Sequence, residues 1–225
     1  MVAQLETRDY ILRIEPDTDT EDPLRYSDYR VVSFFRNRRL ITDGDIEEFY
    51  DDTPDGYRPK LGIRSKLKAG TAFRLDYYEH GGSSWSLSGE GMQDGWDTSR
   101  GAGILLYTGK PNDMGKTYAE RRENARLTLE AYNEWANGSC FWYSLENADT
   151  GEQVDSCGGC IGYEYTAEAI VDYANLADLG PCRIKTKGTA RDIAEMYAAK
   201  FPPNVTFVTR FDDDGEGEID ESDEY

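Results

Sequence analysis

The sequence is short of the residues from which most active sites are built. It has one histidine, His80, four cysteines, and 25 lysines and arginines against 44 aspartates and glutamates, a net charge of −19. One imidazole leaves no second histidine to share a zinc ion with it. So few cations argue against general DNA or RNA binding, because phosphates must be met by bases. Long apolar runs are absent as well, and none approaches the roughly 18 to 20 residues of a membrane-spanning helix. The opening stretch MVAQLETRDY has neither the basic nor the apolar region of a secretion signal. The expectation is a soluble cytoplasmic protein that does not engage a membrane. There is no G-x-S-x-G elbow, no Gly-Lys-Ser/Thr phosphate loop and no G-x-G-x-x-G opening a helix. The acids lack the alternating spacing of a calcium loop. No cofactor is expected.

What is present suffices for a folded body, since 38% of the residues are hydrophobic. The acidity is uneven. Asp212–Tyr225 carries nine acids and no base, which leaves −10 on the remainder, and this tail is expected to be disordered. Met1–Gly56 has 15 acids and 7 bases, whereas Tyr57–Gly70 has five bases and no acid. Ordinary solubility explains a modest acidic excess. A surface built to face a basic partner is the sharper alternative, and solubility is the plainer one.

Strand signals occur at Tyr10–Ile14 and Tyr29–Phe35, where β-branched and aromatic residues concentrate. TDGDIEEFYDD reads as a turn and short helix with Asp43 or Asp45 as N-cap. The basic segment Tyr57–Gly70, interrupted by proline and glycine, reads as an extended loop. Phe73, Leu75 and Tyr77 alternate on one strand face, and Trp85 and Leu87 repeat the period after a Gly81-Gly82 hairpin turn. GAGILLYTG reads as a central strand. A helix is expected from Tyr118 to Asn137, opened by a Thr117/Glu120 capping box, closed by Gly138, and buried along Tyr118, Arg122, Ala125, Leu129, Tyr132 and Ala136. CFWYSLEN and EQVDSCGGCIGYE follow as strands, then helices at Ala167–Leu179 and Ala190–Lys200 and a last strand in NVTFVTRF. The pattern predicts an α+β fold, a largely antiparallel sheet of seven or eight strands with about three main helices packed on it. It is read as one domain over residues 1–211, ahead of the tail.

Three groups could carry chemistry. His80 needs a nucleophile and an acidic partner, and Ser83, Ser84, Asp76, Glu79 and Asp97 supply the types; the plainer reading is a turn histidine bonded to backbone. Cys157-Gly-Gly-Cys160 could be a redox dithiol, or a zinc site if Cys140 and Cys182 converge on it. Free thiols are the plainer reading. The loop GMQDGWDTSRGAG brings Trp96, Asp97 and Arg100 together as binding candidates, alongside the acids Asp43, Asp45, Glu47, Glu48, Asp51 and Asp52.

Several landmarks recur in one order. They are the strand Tyr10–Ile14, Asp22-Pro23, Gly44-Asp45, Glu79-His80-Gly81-Gly82, Gly95-Trp96-Asp97-Thr98-Ser99 before the strand at Ile104, the helix end Tyr132–Gly138, and Asp155-Ser156-Cys157-Gly158-Gly159. Over residues 9–165 they resemble a family of uncharacterised proteins encoded by bacteriophages and integrative mobile elements. That family has Ser-Gly after the histidine where this chain has Gly81-Gly82, and Cys160 lies outside its pattern. The resemblance implies an accessory protein acting in the host cytoplasm. The leading expectation is a non-enzymatic acidic protein that binds a host protein, such as a nucleic-acid-binding defence protein, as an anti-defence inhibitor or DNA mimic. The alternatives are a small hydrolase-like enzyme using His80 and Asp97, and a structural or assembly protein of the phage.

Overall fold

The computed structural model describes residues 9–34, 42–43, 46–54 and 56–207. The tail Asp212–Tyr225 and Asp45 lie outside them, as do the Asp43 side chain and the end of the last expected strand. The chain runs through β1 (Tyr10–Pro16), β2 (Tyr29–Ser33), β3 (Thr42–Asp43), α1 (Ile46–Phe49), β4 (Tyr50–Thr53), β5 (Gly56–Pro59), α2 (Leu61–Ala69), β6 (Ala72–Glu79), β7 (Ser83–Leu87) and β8 (Thr98–Tyr107). It continues through α3 (Pro111–Met114), α4 (Tyr118–Ala136), β9 (Cys140–Asn147), β10 (Gln153–Ile161), α5 (Tyr163–Tyr173), β11 (Cys182–Thr186), α6 (Arg191–Met196) and β12 (Val205–Phe207). Two compact units result. One combines the described residues up to Thr20 with those from Ser139 onward, and the other spans Glu21–Gly138.

Helix and strand are mixed, as expected, but the strands do not form one sheet of seven or eight. They form two five-stranded sheets, β10-β9-β1-β11-β12 and β3-β2-β8-β6-β7, and a ribbon of β4 with β5. In the first unit β1 pairs antiparallel with β9 along its whole length, from Tyr10↔Asn147 to Pro16↔Phe141. It also pairs parallel with β11, which in turn pairs parallel with β12. Leu12, Ile14, Phe141, Tyr143 and Leu145 close a core with Ala167 and Ile170 of α5 and Ile193 of α6.

In the second unit β8 is the central strand, with β2 on one side and β6 on the other. Both faces of this sheet are covered, which is why β8 is apolar without alternation. One face packs Phe73, Leu75, Tyr77, Trp85 and Leu87 with Ala125, Leu129 and Tyr132 of α4. The other packs Val32, Ala72, Ile104 and Leu106 with Phe49, Tyr50, Ile63 and Leu67. Gly103 lets the Trp85 ring lie on the sheet, since a Cβ there would come within 2.9 Å of that ring and 2.5 Å of the Val32 carbonyl.

Helix α4 has the expected capping box and a left-handed Gly138 (φ +78) after its end. Its buried stripe is narrower than expected, because Tyr118 is half exposed. The basic segment corrects another expectation: Gly56–Pro59 is a strand and Leu61–Ala69 a helix, not an extended loop. Pro59 stands just before the helix, and Gly70 (φ 70) ends it by donating to Leu67 O. The helix expected over Ala167–Leu179 begins at Tyr163 and stops at Tyr173, followed by a single 3₁₀ turn at Leu176–Asp178. The one expected over Ala190–Lys200 is a short α6 between 3₁₀ turns. Strand β11 had no counterpart in the sequence reading. Among the described residues no helix is long and apolar enough to cross a membrane.

Candidate functional site

The loop Ser88–Asp97 joins β7 to β8, and a buried carboxylate ties its first residues to β8. Between the pairs Leu75↔Gly103 and Tyr77↔Ser99 the ladder shifts, two steps along β6 against four along β8. Asp76, 1% exposed, fills the resulting gap. Its Oδ1 accepts from Gly101 N at 2.9 Å and Ser88 Oγ at 3.0 Å, and its Oδ2 accepts from Gly89 N at 2.9 Å and Gln93 Nε2 at 3.4 Å. Burial opposes ionisation of Asp76, but the Gly101 and Gly89 amides and the Ser88 and Gln93 side chains hold its carboxyl below the usual range. A bulge of this kind leaves ladder amides unpaired. Here the carboxylate takes up one of them, Gly101 N–H.

The far side of the loop is shaped by a second carboxylate. Asp94 Oδ1 accepts from Trp96 N at 2.6 Å and Asp97 N at 3.3 Å, an Asx turn. These amide bonds, Trp96 first, hold the Asp94 carboxyl below its ordinary range. Thr98 Oγ1 donates to Met92 O at 3.0 Å. On this fixed backbone the Trp96 side chain is 96% exposed and Met92 60% exposed. The backbone around this exposed indole is thus fixed by bonds within the loop.

His80 belongs to the same surface. Its Nδ1 lies 2.9 Å from Asp97 Oδ2, its backbone N–H donates to Gly82 O at 3.1 Å, and Glu79 N donates to Asp97 O at 3.1 Å. The structure therefore joins the histidine to Asp97, as the sequence reading paired them, and places Trp96 beside the pair in sequence. The rest of a catalytic constellation is engaged elsewhere. Asp76 is committed to the loop backbone. Ser84 Oγ accepts from Asn133 Nδ2 at 3.3 Å, and Ser83 exchanges backbone bonds with the Asn137 side chain. The imidazole is 72% exposed, so water surrounds the position where a proton transfer would occur. Two surface depressions of this unit, one lined by Phe73, Arg74, Tyr118 and Arg122 and one by Trp85, Leu129 and Asn133, contain neither His80 nor Asp97.

The other binding candidates lie on separate elements. Arg100 is exposed on β8. Glu47 and Glu48 are exposed on α1, and Asp51 and Asp52 on β4. This acidic stretch folds against the basic segment. Asp51 stands directly opposite Arg58, Lys60 N donates to Phe49 O, and Lys60 Nζ donates to Glu47 O. Opposite charges facing across a ribbon offset each other, so Asp51 is offset by Arg58, whereas Asp52 faces Tyr57.

The four cysteines are free thiols, with Cys140, Cys160 and Cys182 buried and Cys157 exposed. Cys157 and Cys160 flank a bulge in β10, Cys140 is adjacent to Phe141 and so faces the opposite side of β9, and Cys182 lies on β11. Among the described residues no group of three or more His, Cys, Asp or Glu is placed to hold a metal ion. Asp76 is the residue whose role the sequence reading missed. Its signal was an acid on a strand whose neighbours alternate apolar, followed by a glycine-rich loop with spare amides. No family model, curated protein or solved structure matches the chain.

Proposed function

We propose that the chain is an acidic accessory protein of phage or mobile-element origin that binds a basic host protein through the Ser88–Asp97 loop. The observation that carries this reading is Trp96, almost fully exposed on a backbone held by Asp76 and Asp94. Tryptophans are prominent among residues that dominate binding energy, and a pre-ordered loop loses little entropy on docking. Asp94 and Asp97 flank the indole, and the chain as a whole carries −19, so a basic partner would be drawn to it and wrong acidic partners repelled. A partner that normally grips nucleic acid satisfies both demands.

The experiment is affinity capture from bacterial lysate with the intact chain and with Trp96→Ala, followed by elution with duplex DNA. The proposal expects a basic nucleic-acid-binding protein that the intact chain retains, duplex DNA displaces, and Trp96→Ala fails to hold. Equal retention by both chains would remove the loop from the account. The close His80–Asp97 pair supports a second reading, a hydrolase-like site. His80→Gln separates the two. Binding within a few-fold of the parent with no hydrolytic activity lost supports the first, whereas a folded variant that loses a hydrolytic activity of the parent by about two orders of magnitude supports the second.

A further inference from the structure

Strand β10 breaks step with β9 twice, and the second shift lies between Cys157↔Tyr143 and Cys160↔Phe141. Three steps along β10 there match two along β9. In a regular strand, residues three apart point to opposite faces. The extra residue of a bulge cancels that rule. Tyr143 and Phe141 share a face, so Cys157 and Cys160 opposite them share it too. Gly159 accommodates the bulge in left-handed conformation (φ +71), and its N–H donates to Asp17 Oδ2 at 2.9 Å, fixing the bulge to the residue that follows β1. Asp17 is partly desolvated, but the Gly159 and Asp19 amides and the Thr20 hydroxyl hold its carboxyl below the usual range, so the anchor is charged at neutral pH. The two side chains are near enough for Cys157 to perturb the Cys160 thiol. β10 ends the strand order of its sheet, and Cys157 is exposed while Cys160 is 2% exposed.

We infer that Cys157 and Cys160 form a reversible intrachain disulfide by exchange with a low-molecular-weight disulfide. The bulge sets the two residues on one face, opposite partners only two steps apart on β9, a placement from which a disulfide can close. Their unequal exposure sets the order of events. The Cys157 thiolate attacks one sulfur of the reagent, forming a mixed disulfide and releasing one thiolate. Cys160 then gives its proton to water and attacks the Cys157 sulfur, displacing the second thiolate. Both released thiolates take up protons, and the two electrons lost by the cysteines are those that reduce the reagent. Burial, then the neighbouring Cys157, pushes the Cys160 thiol up to about 12. The second step is therefore the slower one. Cys140 and Cys182 are buried and take no part.

The test treats the full chain with excess glutathione disulfide and follows intact mass and thiol count after unfolding. The parent is expected to pass through one glutathione adduct and end with two of its four thiols lost, a mass lower by two hydrogens, and a peptide map linking residues 157 and 160. Dithiothreitol should restore all four thiols. Cys160→Ser should stop at a stable adduct on Cys157, and Cys157→Ser should stay unmodified, each with a circular dichroism spectrum like the parent's. A parent that keeps four thiols, that holds a permanent adduct, or that links Cys140 or Cys182 instead would overturn the inference.

Discussion

At the scale of single residues, Asp76 shows how a buried charge is retained. Isolated, a carboxylate with 1% exposure would lose its proton only at great cost. With donors on both oxygens it is held ionised, and it fixes the loop that carries Trp96. Asp76→Asn would keep the shape but aim an amide NH2 at a backbone N–H whichever way it turned. The expected loss is about 1–3 kcal/mol in urea unfolding at neutral pH. The pH dependence has a definite sign. The folded carboxyl is depressed below its unfolded value of 3.8, so its contribution is present in full above that pH. It is lost as pH falls from there through the folded value. The gap between parent and variant should therefore narrow below pH 3.8, and a gap constant across that window would deny Asp76 its charge. Sequence reading offered Asp76 as a partner for His80. The periodicity of β6 was legible, but the ladder shift opposite Asp76 depends on where β8 pairs, which no local pattern records.

At the scale of elements, α4 was readable because its signals are local. The Thr117 side chain accepts from Glu120 N, and the Glu120 carboxylate accepts from Thr117 N at 3.0 Å and Lys116 N at 2.6 Å. Those amide bonds hold the Glu120 carboxyl below its ordinary range. Thr117→Ala should cost about 1 kcal/mol, read as a lower unfolding midpoint of the unit that α4 covers. An unchanged midpoint would mean that packing of Ala125, Leu129 and Tyr132 alone holds the helix. Helix α2 escaped notice for an equally local reason. Its proline lies before the first turn and Gly70 at its end, both places where helices favour them. Gly62 sits in the first turn, where its N–H has no partner within the helix in any case. Breakers counted without regard to position made a loop of a helix.

At the scale of the whole molecule, the two-unit division was not legible. β1 belongs to a sheet whose other strands all come after Ser139, and pairing across so long a separation leaves no trace in periodicity. Composition was legible, and so was the split of charge between body and tail. Deleting Asp212–Tyr225 takes the net charge from −19 to −10 and removes little that could join a core. The thermal midpoint should stay within a degree or two, while association with a basic partner should slow and lose part of its salt dependence. A midpoint lowered by many degrees would show the tail docked on the folded body.

The central claim is that Trp96 is the principal contact. It is tested most directly by the dissociation constant of the captured partner for the parent, for Trp96→Ala, and for Tyr173→Ala. Tyr173 is an exposed aromatic of the other unit, 65% exposed. Loss of a dominant tryptophan costs about 2 kcal/mol or more, roughly a thirtyfold weakening. The account predicts that weakening for Trp96→Ala, with Tyr173→Ala within about twofold of the parent and both variants folded. Trp96→Ala binding as tightly as the parent would contradict it.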